Sequence, residues 1–253
     1  MTGADKWRIY DELLKAVPGG ATVKNLWRGR YWLLLESSDG GFGLAQNLGG
    51  REGPPPEGFI GSALGRAAEL IKSWDFSLAA LGLAAVNAAC NRPDSVIFSD
   101  QALSREGDAF DLFLAGSQGR RVAVIGRFPY LERLRPQSAG LTVLERNPGP
   151  GDLPDTAAEF ILPQCDLIFI TATALINKTL PRLLELGAGA EIALLGPSTP
   201  LTPRLFGLGL SALSGLLVSD PARLSGVIGE SRTCLSLFSG GVKKVNLTGS
   251  AQS

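Results

Sequence analysis

The stretch Val122-Ala123-Val124-Ile125-Gly126-Arg127-Phe128-Pro129 decides the fold. Its first four residues are apolar and mostly β-branched, the pattern of a strand buried on both faces. Glycine, a cation and a proline follow at once, ending the strand in a turn. The same texture recurs at Leu141 to Leu144, Leu167 to Ile170, Ile192 to Leu195 and Leu216-Leu217-Val218. Helical stretches separate these runs. One is Leu180 to Leu186, with Thr179 placed to cap it, Pro181 in its first turn and Gly187 at its end. Apolar strands alternating with helices predict an α/β protein with a Rossmann-like parallel sheet and helices on both faces.

Ligands of such sheets sit outside the carboxyl ends of the strands. The first strand is followed by Gly126 to Tyr130, the second by Glu145-Arg146-Asn147-Pro148. Thr171-Ala172-Thr173, Asn177 and Thr179 follow the third, and Gly196-Pro197-Ser198-Thr199-Pro200 the fourth. The candidate ligand-binding set is therefore Gly126, Arg127, Phe128, Pro129, Glu145, Asn147, Thr171, Thr173, Asn177, Gly196, Pro197, Ser198 and Thr199.

Glu145 lies about twenty residues past the first strand-end glycine, where Rossmann proteins place an acid on ribose hydroxyls. It could accept hydrogen bonds from a diol, coordinate a cation, or be a plain surface acid. The first turn is not GxGxxG, and Pro129 lacks the amide that would cradle a pyrophosphate, which argues against NAD. Arg127 could meet a phosphate or stay solvated. Thr171, Thr173 and Asn177 could bind a ligand or cap a helix. Ser198 and Thr199 could donate to an anion, although a proline-bounded hydroxyl turn is the simpler account.

The first ninety residues read differently. A helix is expected from Asp5 to Ala16, stopped by Pro18-Gly19-Gly20. Strands over Tyr31 to Glu36 and Phe42 to Gln46 flank the turn Ser37-Ser38-Asp39-Gly40-Gly41, with a third strand expected over Thr22 to Trp27. Gly49 to Gly58, with Pro54-Pro55-Pro56, is a stiff loop. Two helices follow, one capped by Ser62 and running to Lys72, the other capped by Asp75 and running to Cys90. Its many alanines make the second helix slim, suited to close packing. The expected domains are 1–93, α+β, and 94–253, Rossmann-like.

Composition narrows the chemistry. The 253 residues are 45% hydrophobic and 19% charged, with Lys+Arg and Asp+Glu at 24 each. That balance gives no broad electrostatic capture of nucleic acid. The most apolar helix candidate is too short for a membrane span, so no membrane insertion is expected. The chain has no histidine, which excludes Ser-His-Asp and Cys-His triads and HExxH zinc sites. Cys90, Cys165 and Cys234 form no CxxC pair and read as reduced, mostly buried thiols of a cytoplasmic protein. A homodimer is the base-rate assembly.

Gly126-Arg127-Phe128-Pro129, Glu145-Arg146-Asn147-Pro148, Leu162-Pro163-Gln164-Cys165-Asp166, Thr171-Ala172-Thr173-Ala174-Leu175-Ile176-Asn177-Lys178-Thr179 and Gly196-Pro197-Ser198-Thr199-Pro200 occur in that order. Together, over about Gln101 to Leu247, they resemble the putative heavy-metal chelation family, a domain of unknown function. Ser73-Trp74-Asp75 leading into Leu81 to Ala88 resembles its companion domain. The resemblance implies an enolase N-terminal-like domain before the Rossmann-like one, with a site in the cleft between them. It also implies handling of a heavy metal or a metal-chelating small molecule. With no histidine and scattered cysteines, direct chelation of a soft metal fits poorly, and a metal chelate or small organic chelator fits better. The expected function is small-ligand binding, with Glu145 as principal charge and Phe128 as an apolar wall. The alternative is an enzyme dependent on S-adenosylmethionine or a nucleotide.

Overall fold

The structure, a computed structural model, describes residues 5–49, 54–95, 104–129, 131–230 and 233–249. Tyr130, Gln101 and residues 50–53 of the proline loop, all named above, lie outside them. A 3-10 turn at Asp5–Trp7 leads into α1 (Arg8–Lys15), which buries Ile9, Tyr10 and Leu13. Strands β1 (Val23–Arg28), β2 (Trp32–Ser37) and β3 (Phe42–Gln46) form an antiparallel meander in that order. The expected turn joins the last two, with Gly40 at φ +86°.

Two helices then cover one face of this meander, α2 (Leu64–Glu69) with its 3-10 extension to Lys72, and α3 (Phe76–Cys90). Asp75 caps α3 as expected, its Oδ1 accepting from the amides of Ser77 and Leu78 at 2.8 and 3.2 Å. Ser62 does not cap α2. Its hydroxyl donates to the Phe59 carbonyl at 2.7 Å, and Ala63 occupies the cap position. Every residue of α3 from Ala79 to Ala88 is buried. The helix approaches β3 closely at Gly43, where an added Cβ would stand 2.0 Å from the Ala84 carbonyl oxygen. Strand and helix backbones touch there.

The second sheet has eight strands. They are β4 (Ser104–Glu106), β5 (Arg121–Ile125), β6 (Gly140–Glu145), β7 (Leu153–Pro154), β8 (Leu167–Thr171), β9 (Glu191–Leu195), β10 (Ala212–Val218) and β11 (Val242–Thr248). The spatial order is β4-β11-β10-β9-β8-β5-β6-β7. Strands β5 to β10 run parallel, and β11 runs antiparallel to both its neighbours, β10 and β4. The chain leaves β5 for β6 on one side and returns to β8 on the other, so strand order reverses between β5 and β8. A crevice opens at such a point.

Both faces of this sheet are covered. Ala123, Ile125, Ile168, Ile170, Ile192 and Leu194 pack under α5 (Ala158–Ile161), α6 (Thr173–Ile176) and α7 (Leu180–Leu186), in one core with α1 and α3. On the other face Val122, Val124, Phe169, Ala193 and Leu195 meet Phe110 and Phe113 of α4 (Ala109–Leu114). The outer side of the meander, Trp32, Leu34 and Leu44, packs on Leu224 and Ile228 of α8 (Pro221–Glu230).

Polar bonds align these apolar contacts. Asn87 Nδ2 on α3 donates to the carbonyls of Leu44 and Ser198 at 2.7 and 2.9 Å. Asn91 donates to Thr199 O at 2.9 Å and accepts from Leu201 N at 2.8 Å. The Tyr10 hydroxyl donates to Leu175 O at 3.1 Å, tying α1 to α6. Lys178, at φ +67°, sends its amine to Ile176 O at 2.7 Å and stands 5.6 Å over the Tyr10 ring. Among the described residues, no helix is long and apolar enough to cross a membrane.

Two predictions follow from this packing. Asn87→Ala strands two buried carbonyls and should destabilise the fold by about 2–4 kcal/mol, read as a lower urea midpoint; an unchanged midpoint would show that the bonds contribute nothing. Burial lowers the Lys178 amine from the ordinary 10.5 to about 8. Between those values the unfolded chain holds a proton that the folded chain has lost, so this residue's contribution to stability improves as pH rises from 8 to 10.5. Wild type should therefore gain stability over that window relative to Lys178→Met. A difference independent of pH would contradict the assignment.

Candidate ligand-binding cleft

At the carboxyl ends of β5, β6 and β8 lies a cleft of 330 Å³. The meander closes one side through Gln46 and Leu48, and the floor is Ile125, Leu144, Ala174 and Leu183. Gly126 begins the turn after β5 at φ +99°, a left-handed conformation. A Cβ there would stand 3.0 Å from Thr171 Cβ. Glycine thus lets the β5 turn close against β8.

Polar groups converge on this hollow. Glu145, Asn147, Thr171, Thr173, Asn177 and Arg127, all expected from the sequence, line it together. The Thr171 and Thr173 hydroxyls lie 3.0 Å apart, one donating to the other. Asn177 Oδ1 is occupied locally, accepting from Thr179 N at 3.1 Å and Thr179 Oγ1 at 2.7 Å. This corrects the expected helix cap: Thr179 stands at the cap position of α7 without a side-chain cap bond, and Asn177 organises the turn. Its Nδ2 has no hydrogen-bond partner among the described residues.

Charge within the cleft is unevenly satisfied. Arg127 pairs with Asp152, and Arg146 Nε lies 3.4 Å from Asp155 Oδ2. The Arg127 guanidinium and the Gly149 amide hold the Asp152 carboxyl below the usual range, the amide contributing more. Glu145 Oε2 accepts only from its neighbour's amide, Arg146 N, at 3.0 Å. Among the described residues Glu145 has no ion-pair partner, so this half-buried carboxylate is the unneutralised charge of the site.

Phe128, Pro129, Gly196 and Pro197 do not line this polar cleft. They form the neck and hollow beside it, with Ser198 reaching the neck. Ser198 and Thr199, which could have donated to an anion or formed a hydroxyl turn, are 2% and 0% exposed. Ser198 Oγ accepts from Gln46 N at 2.9 Å, and Thr199 lines none of these hollows. The Ser198 hydroxyl and the carbonyls of both residues join β3 and the end of α3 to the turn after β9, as the simpler, structural reading of this turn has it. Gln46, Leu48, Arg146 and Asp155 were missed as lining residues. The first two arrive through tertiary docking that no local pattern announces, whereas Arg146 sits beside Glu145 in the strand-end turn.

The cysteines do not converge. Burial pushes the Cys90 thiol up to about 12, and it also raises Cys165, whose Sγ donates to Ile161 O at 3.3 Å. Cys234 is exposed, contrary to the expectation of mostly buried thiols, and lines the neck. Among the described residues, no group of three or more Cys, Asp or Glu is placed to hold a metal ion. The described residues thus offer no cluster that would enclose a bare ion on protein donors alone. A larger hollow of 500 Å³ lies between Lys6 and Gly209, toward the amino ends of β9 and β10. Its lining lacks the clustered amides and hydroxyls of the strand-end cleft.

Comparison with known proteins agrees with this architecture. Residues 10–90 and 108–247 match two family models, both described as "Putative heavy-metal chelation". A crystal structure of a protein of unknown function from Desulfitobacterium hafniense, from the second of these families, is 36% identical with a TM-score of 0.86, covering 98% of this chain and 100% of that one. A relative from Pyrococcus horikoshii, 22% identical with a TM-score of 0.78 over 97% of this chain and 100% of its own, shares the fold. An uncharacterized protein of Methanocaldococcus jannaschii is 30% identical over 155 residues, 58% of each chain. This chain thus spans less than two thirds of that curated relative. None of these descriptions carries an activity, so the enzyme alternative gains no support from them. By its match over more than half its length, the chain belongs to the family described as "Putative heavy-metal chelation".

Proposed function

We propose that the cleft at the ends of β5, β6 and β8 binds a small oxygen-rich ligand, carrying its metal as a preformed chelate. The observation that carries this reading is Glu145: a half-buried carboxylate with no counter-ion among the described residues, beside neutral hydroxyls and an amide nitrogen. One carboxylate is too little to strip water from an ion and enclose it. It is enough to complete the coordination of a metal whose other positions an organic molecule fills. Thr171, Thr173 and Asn177 Nδ2 then orient the organic part through hydrogen bonds. Arg127 and Arg146, already paired with Asp152 and Asp155, keep the cleft from being strongly anionic.

Native mass spectrometry of the chain purified from its host, with elemental analysis, tests the reading. The expected result is an adduct containing organic mass and a metal, retained by wild type and lost in Glu145→Gln at an unchanged melting temperature. An adduct that survives Glu145→Gln, or stoichiometric bare metal with no organic mass, would contradict it.

A further inference from the structure

The polar cleft continues past Arg127. The Phe128 ring overlies both strand-end glycines: a Cβ built at Gly126 or Gly196 would stand 3.8 or 3.7 Å from it. It also meets Phe110 edge-on, with centroids 5.8 Å apart at 67°. Beyond this ring is a second hollow of 310 Å³, walled mainly by Phe110, Phe128, Pro197, Leu216, Leu235 and Phe238. Leu235 and Phe238 are 53% and 40% exposed. Large apolar side chains clustered at the mouth of a hollow mark a binding surface more often than isolated ones do. The far end carries an ion pair, Lys244 Nζ to Asp108 Oδ2 at 2.6 Å. A neck of 150 Å³ joins the two hollows, sharing Arg127, Thr171 and Thr173 with the polar cleft and Phe128, Gly196 and Phe238 with the apolar one.

We infer that one elongated amphipathic molecule occupies both hollows. Its oxygen-rich head lies against Glu145 and Thr173, and its aromatic or aliphatic body passes beside Phe128 to rest on Phe110 and Phe238. This rests on the Glu145 reading above and narrows it. A compact hydrophilic acid would leave the apolar hollow wet, whereas a chelator with an apolar arm fills both. The lining residues shared between the neck and each hollow, Arg127, Thr171 and Thr173 on one side and Phe128, Gly196 and Phe238 on the other, argue for one molecule rather than two.

Anilinonaphthalene sulfonate, a flat apolar body with an anionic head, probes the second hollow, and the host-purified adduct probes occupation of both. Wild type should bind one probe per chain. The double variant Leu235→Glu/Phe238→Glu, altered only at exposed positions, should weaken the probe by about tenfold or more and lose the adduct, with its melting temperature kept. Glu145→Gln should lose the adduct while holding the probe within about twofold. Equal probe affinity in the double variant would overturn the inference, as would a dimer that this variant dissociates, since a second copy would then cover the patch. An adduct kept by the double variant but lost by Glu145→Gln sinks the amphipathic ligand and leaves the Glu145 reading standing. An adduct kept by Glu145→Gln sinks the Glu145 reading itself.

Discussion

The contact on which the site depends is the pair of buried amides in the last turn and C-cap of α3. Asn87 bridges the carbonyls of Leu44 and Ser198, and Asn91 holds Thr199 and Leu201. Apolar packing alone is non-directional and would tolerate sliding of the meander across the parallel sheet. Hydrogen bonds to named carbonyls do not. They fix the end of β3 over the turn after β9, and that register carries Gln46 and Leu48 into the cleft wall. The helix bearing both amides can lie so deep because Gly43 and its alanines leave room for backbone contact.

Much of this was legible in the sequence. The apolar runs located β5, β6, β8, β9 and the end of β10, because strands within a covered parallel sheet carry few polar residues to blur their limits. Glu145, Thr171, Thr173 and Asn177 were legible for a related reason: in parallel strands, whatever follows the apolar run must gather at one edge. Strands β4 and β7 escaped notice because two or three residues carry no period. Strand β11 escaped because its Lys243 and Lys244 are exposed, and its role is set by pairing with β10.

Failures at the site share one cause. Ser198 and Thr199 have the composition of an anion-binding turn, and nothing local says that another unit will bury them. The Ser198 hydroxyl and the carbonyls of both residues bond Gln46, Asn87 and Asn91, residues more than a hundred positions away. Asn87, within a largely apolar helix, joins the two sheets through its amide. Buried polar residues on a slim helix were the available signal for docking, since such groups require partners.

The family description and the donor chemistry agree once the metal is treated as cargo within an organic ligand. A chain without histidine, with one thiol held up to about 12 by burial, is a poor cage for a soft ion. An unneutralised carboxylate beside hydroxyls, opening toward an aromatic wall, suits a complex that arrives already assembled. The most direct measurement is a crystal structure of the chain purified from its host without chelators, with anomalous data collected at the edge of whichever metal elemental analysis finds. The account predicts an anomalous peak within coordination distance of Glu145 and continuous organic density leading from it toward Phe128. A peak or ligand density in the groove between Lys6 and Gly209, with the strand-end cleft holding only solvent, would contradict it.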